Sequence, residues 1–328
     1  MNATSSRRHF VMALSGAALL PSTGPAHAAE DYPTRPIRWI IPFPPGGATD
    51  TSARIVGAEL SKDLGKPVVI ENRPGGNTLV ATRALLSSPP DGYTIMSAAS
   101  DVLSINPHLY EVPYKTEKDF AFISALMSSP YVLVARADFP AVNLRELIGR
   151  IKTENVKLNY ATFGAGSFAH VAMEMFLNRI GSRMTMVPYQ GAAASVAAIL
   201  GGQVDMMMTD LPSSLSHIRS GKLRALGWSG NGMKSVLPEV PAIAEAGVPG
   251  FFIDPFVGVI APAGTPVAIV ERLDAAIRKV LAHEGTQKQF EERGMVQIYR
   301  PPAAFRELAL RTSVEMRGLI EVSKISVK

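Results

Sequence analysis

Three glycine-rich turns, each at the start of a helix, are the parts of this sequence best suited to bind a ligand. The first reads Pro42-Phe-Pro-Pro-Gly-Gly-Ala-Thr-Asp50, and the others lie near Gly166 and Gly191. Glycine lets the backbone turn sharply and approach a ligand, and the first N–H groups of a helix lack partners within the helix. With the positive end of the helix dipole, these groups favour an anion. The turns therefore predict an anion site, although a turn that only joins a strand to a helix has the same sequence pattern.

The first turn does not match the known nucleotide motifs. It lacks the lysine and the spacing of a P-loop, and it contains no Gly-x-Gly-x-x-Gly, so nucleotide binding is disfavoured. Pro42, Pro44 and Pro45 have no N–H to donate, which ends the preceding strand. We expect Thr49 or Asp50 to cap the helix that follows.

Ser167, His170 and Asp205 are the side chains that could carry other chemistry. Ser167 lacks the Gly-x-Ser-x-Gly pattern of a nucleophile elbow, so we expect a helix cap whose hydroxyl could also meet a ligand. His170 and Glu174 share a helix face, but no other histidine is paired with them at metal spacing. The alternative to a metal is a hydrogen bond on the helix face or a partly buried histidine, and we expect no metal and no cofactor. Asp205 is either a cleft-facing carboxylate or a solvated turn acid.

Composition indicates an ordered globular protein with about two domains. The chain has 328 residues, of which 47% are hydrophobic and 19% charged. It has no cysteine, which excludes disulfides and thiolate chemistry. The net charge of +5 includes two leader arginines, and the remaining +3 contains no basic run. Nucleic acid and membrane binding are therefore disfavoured.

The first 28 residues resemble an export signal. Arg7 and Arg8 form the charged region, an apolar run extends from Phe10 to Leu20, and Ala26-His-Ala28 is a small-residue cleavage site. The twin arginines resemble those of proteins exported in the folded state. We expect cleavage near Ala28 and a soluble, periplasmic chain, since no stretch approaches the ~20 apolar residues that span a bilayer.

Short apolar strands alternate with helical segments along the chain, which predicts an α/β fold with parallel sheets and ligands beyond the carboxyl ends of the strands. The order of strand, glycine-rich turn and helix recurs in the second half of the chain. We therefore expect two lobes that face each other across a cleft. We expect lobe I to comprise residues 29–129 and 255–328, and lobe II residues 130–254. Closure would be hinge-like, at crossovers near Ser128 to Tyr131 and Phe252 to Phe256.

Thirteen short motifs, in order, resemble those of the periplasmic substrate-binding receptors of tripartite tricarboxylate transporters, also called Bug receptors. Besides the first turn, they include Glu71-Asn-Arg-Pro-Gly75, Pro90-Asp-Gly-Tyr-Thr94, Asn106-Pro-His-Leu-Tyr110, Gly164-Ala-Gly-Ser-Phe-Ala-His170, Pro188-Tyr-Gln-Gly191, Gly202-Gln-Val-Asp205 and Leu237-Pro-Glu-Val-Pro241. The resemblance implies a two-lobed, Venus-flytrap fold of the type II periplasmic-binding class, with a mostly parallel, helix-flanked sheet in each lobe. It also implies no catalysis, capture of a small carboxylate and delivery to membrane permease subunits. We expect a monomer.

The resemblance also implies where the ligand lies. In the family, the turn matching Phe43 to Asp50 and two later helix starts surround the ligand carboxylates, often through ordered water. The candidate ligand-binding residues are Phe43, Gly46, Gly47, Asp50, Ser100, Gly166, Ser167, His170, Gly191, Ala192 and Asp205.

Several positions depart from the family pattern and bear on specificity. Ala98-Ala99 stands where the family usually has Gly-Thr, and Leu103 where it often has His, which favours a less polar ligand. Gln190 replaces a usual Lys, Ala198 a frequent Asp, and Thr209-Asp210 a common Asp-Asn pair.

Two other functions remain open at this point. The same cleft would serve a sensory receptor that presents its ligand to a membrane kinase. An exported hydrolase would need a histidine within reach of Ser167, and the sequence shows no such triad.

Overall fold

Two separate β-sheets organise the protein, which is described here from a computed structural model. The structure describes residues 32–154, 157–230 and 235–327. The predicted export signal lies outside the described residues. The two sheets, each flanked by helices, give the expected α/β two-lobed architecture.

The first sheet has six strands in the order β11-β4-β10-β3-β1-β2. Its strands are β1 Ile37–Ile41, β2 Val68–Asn72, β3 Thr94–Ala99, β4 Phe120–Ser128, β10 Phe256–Pro262 and β11 Val296–Arg300. β1 pairs in parallel with β2 and β3, whereas β10 pairs antiparallel with β3 and β4, and β11 antiparallel with β4. The late strand β10 thus enters the middle of a sheet built from the first part of the chain.

The second sheet has five strands in the order β7-β6-β8-β5-β9. They are β5 Tyr131–Arg136, β6 Asn159–Thr162, β7 Thr185–Pro188, β8 Met206–Asp210 and β9 Leu223–Trp228. β6 pairs in parallel with β7 and β8, and β5 pairs antiparallel with β8 and β9. Both sheets are therefore mixed, because β10 runs antiparallel to its neighbours in the first sheet and β5 does so in the second.

Ten α-helices and one π-helical segment connect the described strands. They are α1 Ala48–Leu64, α2 Leu79–Leu86, the π-helical segment Asp101–Ile105, α3 Asn106–Leu109, α4 Leu144–Glu154, α5 Phe168–Arg179, α6 Gly191–Leu200, α7 Leu211–Arg219, α8 Val267–Ala282, α9 Glu284–Glu292 and α10 Pro302–Ser323. β3 extends to Ala99, and the segment after Ser100 is π-helical and buried. None of the described helices combines the length and apolar composition needed to cross a membrane.

The chain passes between the two sheets at two adjacent places. β4 ends at Ser128 and β5 begins at Tyr131, while the return runs from β9 to β10. The passages are joined because the Ser129 N–H donates to Pro255 O at 3.0 Å and the Tyr131 N–H donates to Ser229 Oγ at 2.7 Å. These are the predicted crossovers. On this basis we keep the lobe boundaries 29–129 with 255–328, and 130–254, as a proposal.

The C-terminal helix α10 contributes to the cores of both lobes. Phe305 and Ala309, near its start, are fully buried in the core of the first sheet with Phe122 and Phe256. Met316 and Ile320, two and three turns later, belong to the core of the second sheet. The helix, which lies within the range expected for lobe I, therefore packs against both lobes.

Candidate functional site

A small cavity of about 50 Å³ lies between the two lobes, at the carboxyl ends of β1, β3, β6 and β8. We call it the inner cavity. Its lining residues are Phe43, Pro44, Gly47, Ala48, Thr49, Ala99, Asp101, Ser129, Tyr131, Phe163, Ala192, Asp210, Pro255, Phe256 and Val257. Both lobes contribute, as expected for ligands that bind beyond the strand ends.

A larger space of about 370 Å³ adjoins the inner cavity and shares Phe43, Pro44 and Phe163 with it. We call it the outer cleft. Its remaining lining residues are Pro42, Pro74, Gly75, Gly76, Asn77, Thr78, Leu79, Tyr110, Gly164, Ala165, Tyr189, Gln190 and Gly191. The Tyr110 hydroxyl donates to Ala165 O across this cleft at 2.5 Å, so the two lobes are in direct contact.

The start of α1 is built by Gly47, and the predicted caps Thr49 and Asp50 are wrong. Gly47 is the N-cap with extended backbone, which leaves Asp50 within the first turn. The Asp50 carboxylate accepts from the Gly46 N–H at 3.0 Å, from Arg54 and from Asn72. Burial raises the pKa of this carboxyl, but these hydrogen bonds outweigh it, and the pKa lies below its usual value. Asp50 thus holds the turn and does not line the inner cavity.

The anion site predicted at the start of α1 receives a carboxylate of the protein itself. Asp210 ends β8 and caps α7, accepting from the Ser213 N–H at 3.1 Å. The nearby Ala48 N–H, at the start of α1, lowers the pKa of this carboxyl. Its Oδ2 lies 3.7 Å from the place that a β-carbon on Gly47 would occupy. A side chain of lobe II therefore meets the helix start of lobe I.

The start of α5, in lobe II, is contacted by a carboxylate of lobe I. Asp101 opens the π-helical segment after β3, and its Oδ1 accepts from the Phe168 N–H at 2.8 Å. A side chain of lobe I thus meets a helix start of lobe II. We call Asp101 and Asp210, with the helix starts that they contact, the carboxylate clasp. Their exposed fractions are only 5% and 4%.

Burial governs the titration of the clasp. It raises the pKa of Asp101 to about 6 and that of Asp210 to about 6, although backbone N–H groups stabilise each anion. Burial, and then the charges of these two carboxylates, raise the pKa of Tyr131 well above its usual value. Among the described residues that line the inner cavity, none is Lys, Arg or His. The clasp is a pair of buried carboxylates without a cationic partner in the cavity wall.

Ser167 and His170 shape the start of α5. Ser167 is the N-cap, as predicted, with its hydroxyl accepting from the His170 backbone N–H at 3.3 Å. The imidazole Nδ1 of His170 accepts from the Gly166 N–H at 3.0 Å, and burial lowers the pKa of this histidine to about 4. The Ser167 hydroxyl and the His170 ring are therefore each engaged with backbone. Neither residue lines the inner cavity or the outer cleft.

The remaining acidic candidates have structural partners. Asp205 accepts from the Asn159 N–H at 3.0 Å and lies 3.9 Å from Arg136, so it joins β6 and β8 and lines neither the inner cavity nor the outer cleft. Glu174 accepts from the Tyr160 hydroxyl. Across the described part of the chain, no three His, Cys, Asp or Glu residues are grouped to hold a metal ion.

The structure brings part of the predicted set together. Phe43, Gly47 and Ala192 line the inner cavity, and Gly191 lines the outer cleft. Gly46, Asp50, Ser100, Gly166, Ser167, His170 and Asp205 line neither space. The Ser100 hydroxyl instead accepts from the Phe256 N–H at 2.9 Å and joins β3 to β10.

Sequence reasoning missed Asp101, Ser129 and Tyr131 as cavity residues. Asp210 was noted only because Thr209-Asp210 departs from the family pattern. This departure was the one feature of the sequence that could have indicated its role. Among the other departures, Ala99 lines the inner cavity and Gln190 the outer cleft. Ala98, Leu103 and Ala198 are buried in the cores.

Sequence comparisons with known proteins give matches over most of the chain. The family model described as "Tripartite tricarboxylate transporter family receptor" matches residues 52–323. Protein BugT of Bordetella pertussis is 36% identical over 280 residues, which cover 84% of this chain and 85% of that protein. A protein from the tcbD-tcbE intergenic region of Pseudomonas sp. strain P51 is 33% identical, over 92% of this chain and 90% of that one.

Solved structures give the same result. R. palustris Rpa4515 with adipate has a TM-score of 0.88 and 28% identity, over 90% of this chain and 99% of that one. The periplasmic binding protein BugD has a TM-score of 0.85 and 29% identity, over the same shares. MatC from Rhodopseudomonas palustris with bound malate has a TM-score of 0.82 and 29% identity, over 88% and 100%.

Proposed function

This chain belongs to the tripartite tricarboxylate transporter receptor family, and on that premise we propose that it captures a small organic carboxylate between its lobes and delivers it to the membrane permease of a tripartite transporter. The chain is a solute-binding receptor of a family whose members are periplasmic. The chemical class of the solute, the delivery step and the export signal are parts of the proposal.

The inner cavity is the observation that supports this function best. It lies where the two lobes meet, and both lobes line it, including the helix starts at Gly47 and Ala192. A receptor that closes around a solute needs such a two-sided site. The structural neighbours carry adipate and malate, which favours an organic acid for this chain as well. We propose that Phe43, Gly47 and Ala192 contact the solute.

Binding without catalysis is the second part of the proposal. A hydrolase would need Ser167 to donate to a histidine base, but its hydroxyl accepts from a backbone N–H of the same helix and is fully buried. The His170 ring nitrogen accepts from Gly166 instead. These contacts favour a receptor over the exported hydrolase.

A thermal-shift screen of the protein purified from the periplasm tests the function. Di- and tricarboxylates, aromatic acids, acidic amino acids and uncharged amides are each added in excess. A solute that binds only the folded state raises the melting temperature by mass action, and at 100 times its Kd it adds about 2.7 kcal/mol of stability. We expect a shift confined to one class of organic acid. A flat response to every class contradicts the proposal.

Closure of the lobes can be tested at Gly191. This glycine has φ +84°, and a β-carbon there would lie 2.9 Å from Pro44 Cδ across the cleft. We expect Gly191→Ala to weaken solute binding about tenfold, because the added methyl holds the lobes apart. The matched control is Gly164→Ala, which shares the positive φ but would meet only Tyr189 O at 3.9 Å. Titration calorimetry measures both, and equal effects of the two variants would show backbone strain rather than hindered closure.

The delivery step separates the two receptor functions. A transporter receptor should retain permease subunits when it is immobilised with its solute and exposed to detergent-solubilised membranes. Retention of a membrane kinase instead would identify a sensory receptor. Light scattering on the purified chain tests the expected monomer.

A further inference from the structure

The carboxylate clasp bears on which solute the inner cavity accepts. The start of α5 donates an N–H to Asp101 of the opposite lobe, and Asp210 of lobe II lies beside the start of α1. Both carboxylates line the cavity. A solute carboxylate in this cavity would lie close to two buried acids. These acids are already at the two helix starts that would otherwise favour it. Like charges this close disfavour each other, most of all where water is excluded.

Ser129 is an independent indication that the cavity takes a polar group. It is 97% buried and lines the inner cavity, and its hydroxyl has no hydrogen-bond partner in the described part of the chain. Buried hydroxyls in native proteins nearly always have a partner, so an orphaned one requires an explanation. A hydroxyl oxygen accepts as well as donates, and each carboxylate offers about four acceptor positions, of which the backbone N–H groups fill only part.

We propose that the solute carries a nitrogen that donates N–H bonds, as a protonated amine or an amide, and that this nitrogen binds in the inner cavity between Asp101, Asp210 and Ser129. The proposal rests on the proposed function and specifies its solute. The raised pKa values of the two acids agree with it, because burial raises the pKa of a carboxyl that has no cationic partner.

The volume of the inner cavity indicates that only one end of the solute binds there. A cavity of about 50 Å³ holds a few water molecules or one functional group, not a whole organic acid. The outer cleft, at about 370 Å³, joins it at Phe43, Pro44 and Phe163. We place the nitrogen in the inner cavity and the carboxylate end of the same solute in the outer cleft, which also contains no charged side chain among its described lining residues.

Three probes of one shape test the proposal by titration calorimetry on the purified protein. Glutarate, its monoamide and 4-aminobutanoate share a carboxylate on a three-carbon chain and end in a second carboxylate, an amide or an ammonium group. We expect at least tenfold tighter binding of one of the two nitrogen probes than of glutarate, and the preferred probe separates the amine from the amide.

Variants then locate the nitrogen. Asp101→Asn and Asp210→Asn keep the side-chain shape and should each weaken the preferred nitrogen probe at least tenfold, while glutarate binding is unchanged or improved. Ser129→Ala should weaken the nitrogen probe several-fold without lowering the melting temperature. Asp138→Asn, whose side chain is 77% exposed, is the control and should change nothing.

The outcomes separate this inference from the proposed function. Glutarate binding as tightly as both nitrogen probes would overturn the inference and leave the receptor function standing. No binding of the three probes, together with a flat response in the thermal-shift screen, would overturn both. If an Asn variant does not fold, the inference is still tested by two results. These are the relative affinities of the unmodified protein for the three probes and the effect of Ser129→Ala on binding of the nitrogen probe.

Discussion

Asp101→Asn is expected to stabilise the protein at pH 8 by on the order of 3 kcal/mol and to have almost no effect at pH 4. Burial raises the pKa of Asp101 in the folded protein to about 6, above its usual value of 3.8. The protonated acid is therefore favoured in the folded protein, and its contribution to stability is fully present below pH 3.8 and is lost as the pH rises through 6. The difference of about two pKa units corresponds to roughly 3 kcal/mol. Asparagine stays neutral and can still accept the Phe168 N–H.

Denaturant unfolding of both proteins at several pH values measures this difference. Comparing the variant with the unmodified protein at each pH removes the contributions of other groups, such as Asp50, whose pKa is shifted downward. Asp138→Asn is the exposed control and should change the unfolding free energy by less than about 0.5 kcal/mol. A variant that is less stable at pH 8 would show that the hydrogen bonds to the carboxylate outweigh its burial.

Gly258→Ala is expected to lower the unfolding free energy by about 3 kcal/mol. Gly258 lies in β10 at the middle of the first sheet, and a β-carbon there would lie 2.2 Å from Phe305 Cζ and 2.7 Å from Ser124 O. Phe305 is fully buried and packs edge-on against Phe122 and Phe256. The ring cannot move without disturbing this cluster, and the carbonyl belongs to the paired strand β4, so overpacking reaches the upper end of its usual range.

Thermal and denaturant unfolding measure the loss. Gly149→Ala, in α4 with no atom near the added methyl, is the matched control and should gain about 0.5–1 kcal/mol. If Gly258→Ala is as stable as the unmodified protein, the first core yields more readily than its packing indicates. Combining it with Phe305→Leu should recover part of the loss, since the smaller side chain makes room.

Much of the fold could be predicted from the sequence because local patterns determine it. Pro42 to Gly47 end a strand and begin a helix through backbone chemistry alone, and the structure has both elements there. The cap was misplaced because Gly47 can take the extended conformation itself, which leaves Asp50 free to bind Arg54 and Asn72. The antiparallel insertion of β10 depends on pairing between distant segments, which no local pattern encodes.

The candidate site was predictable only in part, for a related reason. Phe43, Gly47 and Ala192 belong to turns whose composition shows their role. Asp101 and Asp210 are 109 positions apart and acquire their roles only when the lobes face each other. Ser129 is one of many serines in the sequence, and only the structure shows that its hydroxyl is buried without a partner.

The position of α10 determines how this protein unfolds. One helix supplies Phe305 to the first core and Met316 to the second, so neither core can lose its packing without exposing part of the other. The lobes are therefore coupled in unfolding, and heat or denaturant should melt them as one cooperative unit rather than in sequence. Cooperative unfolding of this kind leaves no half-folded form exposed to proteases.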